Sequence, residues 1–197
     1  MLHFRILAAS ALLLALGSCY IPMRFAAEIA ISRSGEFSLS YTGILAHAGL
    51  IPAFQTRPLS QQEIDRRARD IEADLRRDSG FSQVEFVGNA QFRVDFFKTG
   101  NIFVTSSVSF VRSDSKILSI NYVAETGEIT VRGPSVPQSQ KQAVLAAGFN
   151  TIGEIRIITD ARVIDHNATG VVPAEGGTEY VWIIRDINTP TLLLIIG

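Results

Sequence analysis

A chain of 197 residues makes one domain or at most two small ones, and 47 % apolar against 19 % charged residues gives it material for a core, which excludes disorder for the bulk of it. The charges nearly cancel, with 18 Lys and Arg against 19 Asp and Glu for a formal net charge of -1, and no clustered basic excess points to nucleic acid. A single Cys excludes an intrachain disulfide framework and a thiolate zinc site.

The chain opens on MLHFRILAASALLLALGSC. Arg5 gives a positive start, and Ile6 to Leu16 is too short an apolar run to span a bilayer, which takes about 20 residues. This is the layout of a secretory signal. It ends in Leu16-Gly17-Ser18-Cys19, the pattern of a bacterial lipobox: a branched apolar residue, two small residues that admit the signal peptidase, then the Cys whose thiol takes diacylglycerol. The expectation is a signal peptide over 1–18, lipid attachment at Cys19, and stable membrane association through more than one acyl chain. Tyr20, rather than Asp, follows the Cys, which leans toward the periplasmic face of the outer membrane over the inner membrane. With the first strand pattern beginning near Arg24, residues 19–23 form a tether reaching roughly 15 Å, so the domain over 24–197 sits against the headgroups.

Phe25, Ala27, Ile29 and Ile31, then Phe37, Leu39 and Tyr41, alternate with mostly polar positions around Ser32-Arg33-Ser34-Gly35, predicting a hairpin with one wet face. Residues 46–59, with Pro52 and Pro58, read as irregular. Ser60-Gln61-Gln62-Glu63 matches a capping box, and Ile64, Ala68, Ile71 and Leu75 follow as the apolar stripe of a long helix that Gly80 closes. Its other face offers Glu63/Arg67, Asp65/Arg69 and Glu72/Arg76 at i, i+4. Alternating signs favour a solvated face packed on a sheet over a membrane-surface helix, which would be enriched in bases. Strands then follow at Val84–Phe86, Phe92–Phe96, Ile102–Val111 (after a turn at Thr99-Gly100-Asn101), Leu118–Tyr122 and Ile129–Val131. Pro134 and Pro137 break the run, Gln138–Ala147 reads as a short helix ending near Gly148, and strands are expected over 153–165, 179–185 and 191–196. Hairpin-length connections imply antiparallel pairing. The fold class is therefore α+β: one curved, mostly antiparallel sheet of about ten strands, one long amphipathic helix and a second short one.

The chain carries no motif with metal or catalytic spacing: no HExxH, CxxC, calcium loop, GxSxG or SxxK, and GFNTIG at 148–153 reads as a loop. Beyond the signal peptide the histidines are His47 and His166. Asp160, Asp165 and His166 form the most tempting group, with His166 a general base for a hydroxyl elsewhere, as in a hydrolase. Adjacent strand residues point to opposite faces, which disfavours Asp165 as its partner; a hairpin end with Asn167 in the turn is the simpler reading. Tyr180-Val181-Trp182-Ile183-Ile184 is apolar on both faces, a core strand or else the wall of an apolar cavity, and twelve Phe suit either.

The succession ISRSGEFSLSYTGILA, LRRDSGF, VEFVGNAQFRVDF, IRIITDARVIDHNATG and EYVWIIRDINTPTLLLI resembles a group of bacterial envelope lipoproteins and, more distantly, the LppM-type lipoprotein domain. The likeness covers roughly 24–196 and implies an α/β domain at the membrane with an apolar cavity and a lipid-binding role. No catalytic residue comes with it, and Cys19 alone carries over as a functional position. LppM-type proteins can carry a C-terminal transmembrane helix, whereas this sequence ends at Gly197 without one. The expected function is a membrane-anchored, non-catalytic binding module for a lipid or other amphipathic ligand. The alternative is a structural or assembly lipoprotein that contacts an envelope protein. No catalytic residue, cofactor or metal is expected.

Overall fold

The computed structural model describes residues 20–55, 58–112, 115–136 and 138–197. The expected signal peptide over 1–18, with Leu16, Gly17 and Ser18 of the lipobox, lies outside the described residues, as do Cys19 and the break at Pro137.

The strands are β1 (Tyr20–Ile31), β2 (Glu36–His47), β3 (Phe81–Gly88), β4 (Gln91–Asn101), β5 (Ser107–Arg112), β6 (Ser115–Val123), β7 (Glu128–Arg132), β8 (Ile152–Thr159), β9 (Val163–His166), β10 (Gly170–Ala174), β11 (Gly177–Ile184) and β12 (Leu193–Ile196). The helices are α1 (Ile51–Gln55), α2 (Gln61–Leu75), the single turn α3 (Ile102–Thr105) and α4 (Gln138–Ala146). The class is α+β as expected, but the described residues hold twelve strands in two sheets, not about ten in one. Seven strands run in the order β10-β11-β8-β1-β2-β4-β3 and five in the order β5-β6-β7-β12-β9.

Three features separate the prediction from the structure. β4 runs on through the expected turn at 99–101, and the chain reverses one step later. There the Asn101 side chain caps α3 by accepting from the Phe103 N–H at 3.0 Å, and Ser106 adopts φ 58°. β5 therefore leaves β4 and starts the second sheet. The single strand expected over 153–165 is two, β8 in one sheet and β9 in the other, with β10 an additional strand. The third is a long crossover, which brings β8 beside β1 as the one parallel pair among the described strands, Phe25 opposite Gly153 and Ala27 opposite Ile155. The segment 46–59 also holds a 3-10 turn at Ala48–Leu50 and then α1.

α2 forms where its cap and stripe place it. Ser60 accepts from the Glu63 N–H at 3.3 Å, while the Glu63 carboxylate turns to Arg66 and Arg67 at 2.8 and 2.9 Å. Glu72 pairs Arg76 at 3.3 Å, and Asp65 accepts from Gln61 rather than Arg69. Ile64, Ala68 and Leu75 are buried. Gly80 does not cap the helix, which ends at Leu75. A side chain there would strike the Phe96 ring, whose Cζ lies 2.9 Å from an added Cβ.

The sheets face each other across one core. Phe25, Leu39, Tyr41, Phe92, Val94 and Phe96 point in from the larger sheet, and Phe110, Leu118, Ile120, Val131 and Leu194 from the smaller. Tyr41 meets Phe110 at 4.3 Å between ring centroids, and Phe96 meets Phe110 at 4.9 Å. The opposite face of the β1–β2 hairpin is wet, as its alternation predicts: Ala26, Glu28, Ala30 and Thr42 are exposed and Ser38 is half-buried.

A bulge between Pro22 and Phe25 shifts the β1 register. Ile21 and Met23, at the same parity as Phe25, consequently face the other side of the sheet. They form a second small core with Ala46, Val144, Phe149 and Ile187, closed over by α4.

Candidate functional site

Tyr20 already belongs to β1, pairs with His47 of β2 and is buried. The expected first strand near Arg24 therefore starts four residues earlier, and residues 20–23 of the expected tether are strand. Alternation missed them because the bulge breaks the period. The Tyr20 and His47 rings meet edge to face at 5.0 Å. Burial pushes the His47 pKa down, against smaller opposing effects of its backbone and Asp74, so the ring is held neutral. Its Nδ1 is buried without a hydrogen-bond partner.

The Asp160, Asp165 and His166 group does not assemble. Asp160 belongs to Arg33: its carboxylate accepts the Arg33 backbone N–H at 2.7 Å and the guanidinium Nε at 2.9 Å. The Arg33 backbone N–H and then its guanidinium hold the Asp160 carboxyl below its ordinary range. Asp165 pairs with Ile195 in the β9–β12 ladder and is exposed. His166 is exposed, its Nδ1 accepts the Ala168 N–H at 3.2 Å, and its ring lies edge-on to Tyr180 at 4.9 Å. Among the described residues no hydroxyl or carboxylate is hydrogen-bonded to that ring, so they do not supply the geometry a general base needs. Among the described residues no three His, Cys, Asp or Glu side chains converge to hold a metal.

The resemblance implies an apolar cavity in the domain; the space between the sheets holds the Tyr41, Phe81, Phe96 and Phe110 rings packed on one another. Trp182 is a core residue, 2 % exposed, with its indole N–H donated to Asn167 at 2.8 Å.

Two concavities among the described residues open at the surface. A wide-open cleft of about 840 Å³ runs between the α2–β3 loop, β4 and the edge strand β5, lined by Arg77, Asp78, Lys98, Ser107, Ser109 and Arg112. Its charges are mostly matched. Lys98 Nζ sits 2.9 Å from Asp78, and Arg112 reaches Asp74 at 2.6 Å and the Asp74 carbonyl at 2.8 Å. Partial burial pushes the Asp78 pKa up, but the Gly80 N–H, Lys98 and Arg112 outweigh it and hold the carboxyl below its ordinary range. A second cavity of about 390 Å³ opens at the far end of the fold among Arg33, Phe103, Asp160 and Arg162. Sequence reading did not reach the cleft residues. They come from three segments, and LRRDSGF carries no catalytic or ligand-binding spacing.

No family model matches the chain, and no curated protein does. Among solved structures, the fold is distantly similar to the folded domain of Mycobacterium tuberculosis LppM determined by NMR. The TM-score is 0.45 at 10 % identity, over 90 % of this chain and 91 % of that one. A two-domain M1 zinc metallopeptidase bound to L-tryptophan gives a TM-score of 0.42 at 10 % identity, over 92 % of this chain and 46 % of that one, so this chain spans about half its length.

Proposed function

We propose that the chain is a bacterial envelope lipoprotein, anchored through a lipid on Cys19, whose domain is a non-catalytic binding module outside the cytoplasm. The observation that carries this reading is the lipobox Leu16-Gly17-Ser18-Cys19, which holds the only Cys of the chain and stands directly before β1. Tyr20 after the Cys favours the periplasmic face of the outer membrane. With the inter-sheet space filled, an amphipathic ligand is held from outside, its polar head in the open cleft among Lys98, Arg77 and Arg112. The assembly reading draws support from the same place, because β5 ends its sheet there and offers backbone groups to an envelope protein.

Cys19→Ala tests the anchor. The full-length protein expressed in bacteria should move from the detergent phase to the aqueous phase, and a mutant that stays in detergent would overturn the lipobox reading. Native mass spectrometry of residues 20–197 tests the ligand. A discrete mass lost on denaturation and identified as a lipid supports the binding module, whereas a clean apo mass turns the search to crosslinked envelope proteins.

A further inference from the structure

Exposed apolar side chains stand at both ends of the fold: Val87, Leu145 and Ile152 at one, Phe103, Val104 and Val123 at the other. Hydrophobicity alone therefore does not choose which end meets a membrane. The chain path does. Resting on the lipobox reading above, we infer that the end of the sandwich built around Tyr20 is the membrane-contact surface, with α4 and the β3–β4 turn in the headgroup layer and α3 pointing away.

Tyr20 is fixed in β1 by its pairing with His47, and Cys19 is one residue away, a reach of about 3.8 Å between Cα atoms. The acylated thiol therefore cannot stray far from this end. The same end gathers four further segments. His47 donates its backbone N–H to the Ala90 carbonyl at 2.8 Å, which puts the Gly88–Ala90 turn there, next to exposed Val87. α1 follows His47 after one 3-10 turn. α4 lies over Ile21 and Met23 through Val144, with Phe149 just beyond its end, leaving Leu145 exposed beside Lys141 on the same helix. Ile187 brings the β11–β12 loop, with exposed Arg185, into the same cluster.

This is a small, mixed rim: two or three apolar side chains for the headgroup boundary and the cations Arg24, Lys141 and Arg185 for lipid phosphates. Such a rim binds too weakly to hold a membrane unaided, and it orients a domain that an anchor already holds there. The 840 Å³ cleft, which reaches Thr105 of α3, and the cavity beside Phe103 then lie toward the end away from the bilayer.

Amide exchange on residues 19–197, which hold every described strand and helix, tests the orientation. The Cys19 thiol is coupled to a maleimide lipid in phosphatidylethanolamine–phosphatidylglycerol vesicles and compared with the uncoupled chain. Coupling should slow exchange at 51–55, 87–90, 138–147 and 185–189 and leave 102–106 and 124–127 unchanged. The double substitution Val87→Glu with Leu145→Glu should remove much of the slowing while leaving the coupled chain folded. Slowing at 102–106, slowing along the outer face at 155–158, or no slowing anywhere would each overturn the inference. Lipidation in cells is read separately, from the mass of the Cys19 peptide of the full chain. A failed anchor and a wrong orientation therefore give different results.

Discussion

Trp182 on β11 and Asn167 after β9 are joined by a hydrogen bond of 2.8 Å from the indole N–H to the Asn167 side-chain oxygen. The same oxygen accepts the Leu193 N–H at 2.9 Å, and the Asn167 amide donates to the Thr191 carbonyl at 2.8 Å. One side chain thereby links a strand of the larger sheet to the strand β12 of the smaller. Replacing it with Ala leaves the donor of a buried Trp without its partner. Asn167→Ala should lower the unfolding free energy by about 1–3 kcal/mol in urea titration.

Phe25 lies between two glycines, Gly43 on β2 and Gly153 on β8, its register partners on either side. A Cβ at Gly153 would stand 2.6 Å from the Phe25 ring, and one at Gly43 would stand 2.7 Å from the Phe25 Cα. Gly153→Ala should cost about 1–3 kcal/mol through overpacking. Phe25→Leu in the same chain should recover part of that loss, because the ring is one part of the obstruction and the Phe25 carbonyl oxygen, also at 2.6 Å, is the other. Thermal unfolding of the two singles and the double measures the coupling. At Gly43 the obstruction is backbone, so the corresponding double should recover less.

Tyr41 is fully buried against Phe110, and its hydroxyl has no hydrogen-bond partner. Burial pushes its pKa well above the ordinary phenol range. Tyr41→Phe removes an uncompensated polar atom and should raise stability by about 1 kcal/mol. A loss of stability in urea titration would show that the hydroxyl has a partner after all. Phe110→Ala, at the centre of the ring cluster, should instead cost about 3–5 kcal/mol.

The lowered His47 pKa links stability to pH. The unfolded chain takes up the proton near pH 6.5 and the folded chain only below that. The contribution is present above pH 6.5 and is lost as pH falls from there through the folded value. Melting temperatures between pH 7 and 5 should fall less steeply in His47→Phe, which keeps an aromatic edge for Tyr20, than in the parent.

Asp78 acts in a more acidic window. Its folded pKa is held below the unfolded value near 4, so its contribution is present above that and disappears as pH falls below it. Asp78→Asn should reduce the acid loss of melting temperature below about pH 4 and leave the His47 window unchanged.

Local rules made much of this protein readable in advance. The Ser60 cap and the 64–68–71–75 stripe define α2 with contacts inside fifteen residues, and period-2 alternation defines the β1–β2 hairpin and its wet face. The pattern Leu16-Gly17-Ser18-Cys19, on which the proposed anchor rests, is legible because it is a linear segment. Asn167 was visible only as a turn former. Its bonds to Trp182, Leu193 and Thr191 depend on strands far along the chain, and no periodicity announces them.

The sequence by itself determined the α+β class, the long helix and the absence of a recognisable catalytic spacing. Those follow from local capping, alternation and composition, which each residue shares with near neighbours. Only the tertiary structure decided that the strands divide between two sheets, with β8 returning parallel to β1. It also decided that aromatic rings fill the space between them, and that Arg77, Lys98 and Arg112 line one open cleft. Those outcomes depend on long-range pairing and on how side-chain volumes fit across facing sheets, neither of which a run of adjacent residues encodes.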